Sequence, residues 1–211
     1  MKNGHTTRQK TPAGRYALLD ELRGLDLISM MLYHACWDLM FLFGIWMDWY
    51  IGWPGRLWQQ SICWVFILLS GFCVPLGHHT LKRGAQVFAA GALVTAVTLL
   101  FMPEDRVVFG VLTFLGFAGV PVLHLPQSWY ANTLTTALGF PYPGFVSSDY
   151  FSLLPWLLLF WTGYHLYRLR PETPALPDIR LPGLMAMGRH SLVIYLLHQP
   201  VIYGLLALIF S

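Results

Sequence analysis

The sequence predicts an all-α protein, a bundle of membrane-spanning helices, and two observations carry that prediction. Of 211 residues, 56% are hydrophobic and only 11% are charged, whereas a soluble domain carries about 25% charged residues; the mean hydropathy is +0.54. The apolar residues are also gathered into runs close to the ~20 residues that carry a helix across a bilayer. Five such runs, at 25–45, 57–76, 85–101, 151–167 and 191–210, are the expected crossings. Short polar segments join them, so residues 1–211 read as one domain with 1–17 as a cytoplasmic tail.

The first run is entered from the cytoplasm, because Lys2, Arg8, Lys10, Arg15 and Arg23 precede it and cytoplasmic flanks carry the excess of Lys and Arg. An outer loop, 44–55, then offers Trp46, Trp49, Tyr50 and Trp53 as an interfacial aromatic belt. The second run returns inward and brings Ser70 and Gly71, small residues that allow close helix approach. Lys82 and Arg83 fix the inner turn, and the third run leaves again toward Pro103-Glu104-Asp105-Arg106.

Residues 107–125 are apolar enough to cross, yet Gly110, Gly116, Gly119 and Pro121 interrupt them. If they crossed, Arg168, Arg170, Arg180 and Arg189 would fall outside, against the charge bias. Five spanning helices plus a re-entrant or broken segment is therefore the preferred architecture, with six spans the alternative. Residues 139–150 become an outer loop in which Ser148 and Asp149 are candidates for substrate binding, although Asp149 or Ser152 also suits the N-cap of the next helix. The proline-rich stretch 168–183 reads as a cytoplasmic linker.

The stretch Arg23 to Asp38, RGLDLISMMLYHACWD, carries the chemistry. At 100° per residue, positions 23, 26, 30, 34 and 38 fall within roughly 60° of one line. His34 lies about 16 Å up the helix from Arg23, near the midplane if Arg23 marks the inner surface. An ionisable group there costs about 2.5–3.5 kcal/mol on insertion scales and marks a functional site by default. Asp38, one turn on, is expected to accept the imidazole N–H and leave the other ring nitrogen free as a base. His198 in the last run is either a second site residue or a helix contact, and the sequence leaves these even. Arg23, Lys82, Arg83, Arg168 and Arg189 gather at the inner mouth, where they can hold phosphate. Cys36, Cys63 and Cys73 lie in apolar runs with no CxxC or His/Cys ligand spacing, so neither a disulfide nor a metal site is expected. A net charge of +3 spread over short flanks argues against nucleic acid.

Four patterns in order, LDELRGLDLISMMLYHACWDL, FILLSGF, LGFPYPGFVSSDYFSLLPW and GRHSLVIYLLHQPV, resemble the small bacterial members of the heparan-α-glucosaminide N-acetyltransferase catalytic family. Arg23 and His34 also reproduce the Arg-x10-His spacing of the broader membrane acyltransferases. The resemblance implies acetyl-CoA as donor and cofactor, a carbohydrate acceptor on the outer side, the bacterial cytoplasmic (inner) membrane as location, and, through the Arg-x10-His pattern, His34 as the catalytic residue. A homo-oligomer stays open. A proton-coupled transporter using His34 and Asp38 as a relay is the second reading, but no inverted repeat supports it.

Overall fold

A computed structural model describes residues 17–77, 79–101, 133–139, 145, 150–169 and 181–210. In chain order the helices are α1 (Ala17–Phe41), α2 (Asp48–Ile51), α3 (Trp53–Cys73, prolonged by a 3-10 turn, Val74–Leu76), α4 (Thr80–Phe101), α5 (Thr133–Leu138), α6 (Leu153–Leu169), α7 (Pro182–Arg189) and α8 (Ser191–Phe210). The described residues contain no strand. Each of the five expected crossings has its helix. Three stretches, Trp53–Leu76, Thr80–Leu100 and Ser191–Phe210, are long and apolar enough to cross a bilayer, and the chain is a membrane protein. Helix α1 has the length but carries Asp20, Glu21, Arg23, Asp26 and Asp38, while α6 has 17 residues. The segment 107–125 and the candidates Ser148 and Asp149 lie outside the described residues, as do Arg170 and Arg180.

Two glycine-mediated contacts set the packing. A Cβ on Gly71 of α3 would sit 1.9 Å from the Phe160 carbonyl of α6, and one on Gly163 of α6 would sit 2.1 Å from the Leu68 carbonyl of α3. The backbones touch because neither glycine holds them apart, which is how membrane helices gain van der Waals contact without a hydrophobic drive between them. Gly24 of α1 and Gly188 of α7 repeat the device, against Leu184 and Asp20. Buried Ile67, Ala90, Leu157 and Phe160 form one core cluster, and Leu27, Met30 and Ile62 form another between α1 and α3.

Helix α3 runs back along α1: Trp58 Nε1 donates to Ser29 Oγ at 2.8 Å, and Arg23 meets Cys73 at the other end. Helix α8 runs in the same direction as α1, because His34 meets His198, Asp38 meets Gln199 and Phe43 meets Tyr203. The aromatic belt is only partly as expected. Trp46 and Trp53 are 68% and 73% exposed, but Tyr50 is 5% exposed; its hydroxyl donates to the Tyr33 carbonyl at 3.1 Å and its ring lies 4.8 Å from that of Tyr33. Burial pushes the Tyr50 phenol up from its ordinary value, so it stays a donor and pins the outer loop to α1.

Candidate active site

The site has two parts joined by one side chain. At the Arg23 end of α1, residues of α1, α3, α4, α6 and α8 line a cleft of about 770 Å³ whose polar lining includes Arg23, Ser70, Cys73, Thr80, Arg83 and Tyr195. Arg23 donates from Nη2 to Cys73 Sγ at 3.1 Å, and its Nη1 stands 3.5 Å from Asp20 Oδ1. The other Asp20 oxygen faces Arg189 Nε at 3.6 Å. Glu21 is engaged elsewhere, accepting from the Leu181 backbone N–H at 2.7 Å. The acidic start of α1 therefore anchors α7 and the entry to α8.

Of the five basic residues expected at this mouth, Arg23 and Arg83 line the cleft. Lys82 points to solvent or headgroups as an exposed residue. Arg168 lies over the Tyr164 ring, 5.4 Å from its centroid, and donates to the Tyr164 hydroxyl at 2.9 Å. Arg189 is committed to Asp20. The sequence sets Arg23 apart as the arginine that opens the polar stripe, but it could not divide Arg83 from Lys82, Arg168 and Arg189, which look alike as inner-flank charges.

Above the cleft, α1 and α8 meet along a buried polar seam. The rings of His34 and His198 have centroids 4.9 Å apart, inclined at 56°. Asp38 is completely buried and His198 is 8% exposed. The hydrogen bond expected from His34 to Asp38 is not formed: Asp38 Oδ1 instead accepts from Gln199 Nε2 at 2.8 Å. The physical reason is that α8 lies against the polar stripe of α1, so that its own side chains reach the stripe first. His198 Nδ1 stands 2.6 Å from the Tyr195 carbonyl. A carbonyl only accepts, so Nδ1 carries the hydrogen and Nε2 presents its lone pair.

Three buried atoms in this seam, Asp38 Oδ2, His198 Nε2 and Gln199 Oε1, have no partner among the described residues. Each such group costs about 1–3 kcal/mol, and buried polar atoms are nearly always satisfied. All three are acceptors, because the amide of Gln199 is turned by its bond to Asp38. A ligand bringing N–H or O–H groups would satisfy them.

Tyr195 joins the two parts. It lines the cleft, and its ring lies 5.6 Å from that of His198 one turn later. Sequence reasoning singled out His34, Asp38 and His198 but missed Tyr195, Gln199 and Cys73. The spacing of three between Tyr195 and His198 was the available signal for Tyr195; nothing local links residue 38 to residue 199.

A family model described as heparan-alpha-glucosaminide N-acetyltransferase, catalytic, matches residues 15–133 and 120–200. No curated protein and no solved structure matches the chain. The family match takes in α1 with its polar stripe, the cleft-forming helices and the His198–Gln199 pair of α8. An all-helical membrane chain whose paired histidines adjoin an arginine-bordered cleft thus belongs to the heparan-α-glucosaminide N-acetyltransferase catalytic family, a family of membrane acetyltransferases.

Proposed function

We propose that this protein transfers an acetyl group from cytoplasmic acetyl-CoA to an amino or hydroxyl group of a sugar on the outer side. The observation that carries the reading is the continuity from cleft to seam: Arg23 and Arg83 border a cleft whose Tyr195 leads directly to the His198–His34 pair. Phosphates held at the two arginines by charge-assisted bonds would send the pantetheine arm along the apolar walls toward Tyr195. Ser148 and Asp149 are the proposed acceptor contacts, with His198 behind His34, and Lys82, Arg168 and Arg189 serve the inner surface rather than the cleft.

His34 acts as the general base. It takes the proton from the acceptor N–H or O–H as that atom attacks the thioester carbonyl; the C–S bond breaks, and the CoA thiolate recovers a proton from the imidazolium. Thioesters are already activated, so the chain's task is orientation and proton transfer. Asp38, buried and one turn away, supplies the negative charge that steadies the imidazolium without a hydrogen bond to it.

The shared direction of α1 and α8 supports five crossings with an outer C-terminus. Six successive crossings would leave α8 running against α1. With five, the cleft opens to the cytoplasm and residues 139–150 lie on the acceptor side.

Purified protein given radiolabelled acetyl-CoA and a panel of amino sugars and hydroxyl sugars should release CoA and label the sugar. His34→Ala should lower that rate by about 10²–10⁴-fold, as removal of a general base does, while the protein still elutes as folded in detergent. Wild-type turnover in this variant would end the assignment of His34, and a wild type that carries label across proteoliposomes without releasing CoA would make the protein a transporter.

A further inference from the structure

His34 makes no hydrogen bond among the described residues, and the carboxylate expected to orient it is held by Gln199. Without a partner, a neutral imidazole divides between its two tautomers, and only one of them offers a lone pair to the acceptor. Something else must select it. The side chain placed to do so is His198. Its ring centre is 4.9 Å from that of His34. An N–H···N bond of about 2.9 Å, with roughly 1.1 Å from each nitrogen to its ring centre, puts two imidazole centres about 5 Å apart. Its Nδ1 hydrogen is already given to the Tyr195 carbonyl, so Nε2 can only accept, and Nε2 is buried without a partner.

We infer that His198 is the positioning residue of this site: its Nε2 accepts the N–H of His34, in the place expected of Asp38, and so fixes the lone pair of the other His34 nitrogen on the acceptor. This rests on the reading of His34 as base. The chain of bonds runs from the His34 N–H to His198 Nε2, and from the His198 Nδ1–H to the Tyr195 carbonyl. When His34 takes the acceptor proton, the cation that forms shares its other hydrogen with a neutral ring, and Asp38 provides the countercharge. His198 is held by its Nδ1 bond to the Tyr195 carbonyl, so the movement that would bring the two nitrogens into line is a rotation of the His34 ring about its own χ2. The adjacent residue bears on Asp38 as well. Gln199 holds that carboxylate by one oxygen, Oδ1, while Oδ2 has no partner among the described residues.

The test reads tautomers and turnover separately. In protein labelled with ¹⁵N-histidine and held in micelles, the ring nitrogens of His34 and His198 report their tautomers without any reaction. Wild type should show each as one tautomer, with His198 protonated on Nδ1. His198→Leu removes the acceptor and should leave His34 a mixture; His198→Gln offers its Oε1 near the position of Nε2 and should restore the single form. In turnover, His198→Leu should lose on the order of 10²-fold in kcat with KM for acetyl-CoA within about twofold, and His198→Gln should recover most of the loss. A residue with only a packing role would not show rescue by a polar amide over an isosteric leucine. The inference is overturned if His34 is a tautomer mixture in wild type, or if His198→Leu leaves its tautomer or its kcat unchanged. The spectra stand apart from catalysis, so a protein with no acetyl transfer still decides the pairing.

Discussion

Arg23 is held at the cleft by two weak contacts, a guanidinium N–H on the Cys73 thiol at 3.1 Å and an ion pair to Asp20 at 3.5 Å. Neither uses the full fork of five donors, so the side chain retains capacity for an incoming phosphate. Arg23→Lys keeps the charge and loses the bidentate geometry; CoA titrated into the two proteins by calorimetry should bind the variant several-fold more weakly, and equal affinities would remove Arg23 from the donor site. Arg189→Lys, on a residue already paired with Asp20, should bind CoA as the wild type does. At this scale the sequence reveals what is costly: His34, Asp38 and His198 stand out because ionisable groups in apolar runs need a reason to be there. It conceals what is cheap. Gln199 and Tyr195 are ordinary residues in an apolar helix, and their importance arises only once α8 is laid against α1.

Helices α3 and α6 depend on Gly71 and Gly163 as a pair, since each faces the other's backbone at less than any real Cβ contact. Gly163→Ala should force the helices apart and cost about 1–3 kcal/mol by overpacking, seen as a lower thermal midpoint in detergent. Gly204→Ala is the control: a Cβ there meets nothing within 4 Å, so the helix should gain slightly or stay unchanged. The reading of Ser70-Gly71 as a close-approach point is legible from composition alone; its partner Gly163 is not, because one small residue among many in an apolar run carries no address. Element boundaries show the same division. The last run, 191–210, coincides with α8, whereas the first begins at Ala17 rather than 25. Its polar first turns would be expected in water, but Asp20 and Glu21 are buried against α7. The linker reading, 168–183, likewise overruns the start of α7 at Pro182, an eight-residue helix too short to signal itself and stable through its docking on Gly24 and Asp20.

The direction of the helices supports the proposed five-crossing arrangement of the molecule in the bilayer. Helix α3 returns along α1, α4 follows it through the inner turn at Thr80, and α8 runs with α1 from the shared cleft at Arg23 and Ser191 up to Phe43 and Tyr203. These directions support the proposed topology, in which the chain crosses an odd number of times between the end of α4 and the start of α8. On the proposed five crossings, α6 is the single crossing between α4 and α8; a second crossing there would set the start of α8 on the face opposite the start of α1. The charge bias favours the same proposal independently, since it wants Arg168 and Arg189 inside. Single cysteines at Asp48, Lys82 and Arg168, on a background lacking Cys36, Cys63 and Cys73, test it in intact cells. All three native positions are exposed, so access depends on side and not on burial. An impermeant maleimide should label the cysteine at 48 and spare those at 82 and 168 until the membrane is permeabilised. Labelling at 168 from outside would return the molecule to six crossings, place the Arg23 and Arg189 ends of α1 and α8 on opposite faces, and contradict the shared cleft on which donor binding is proposed.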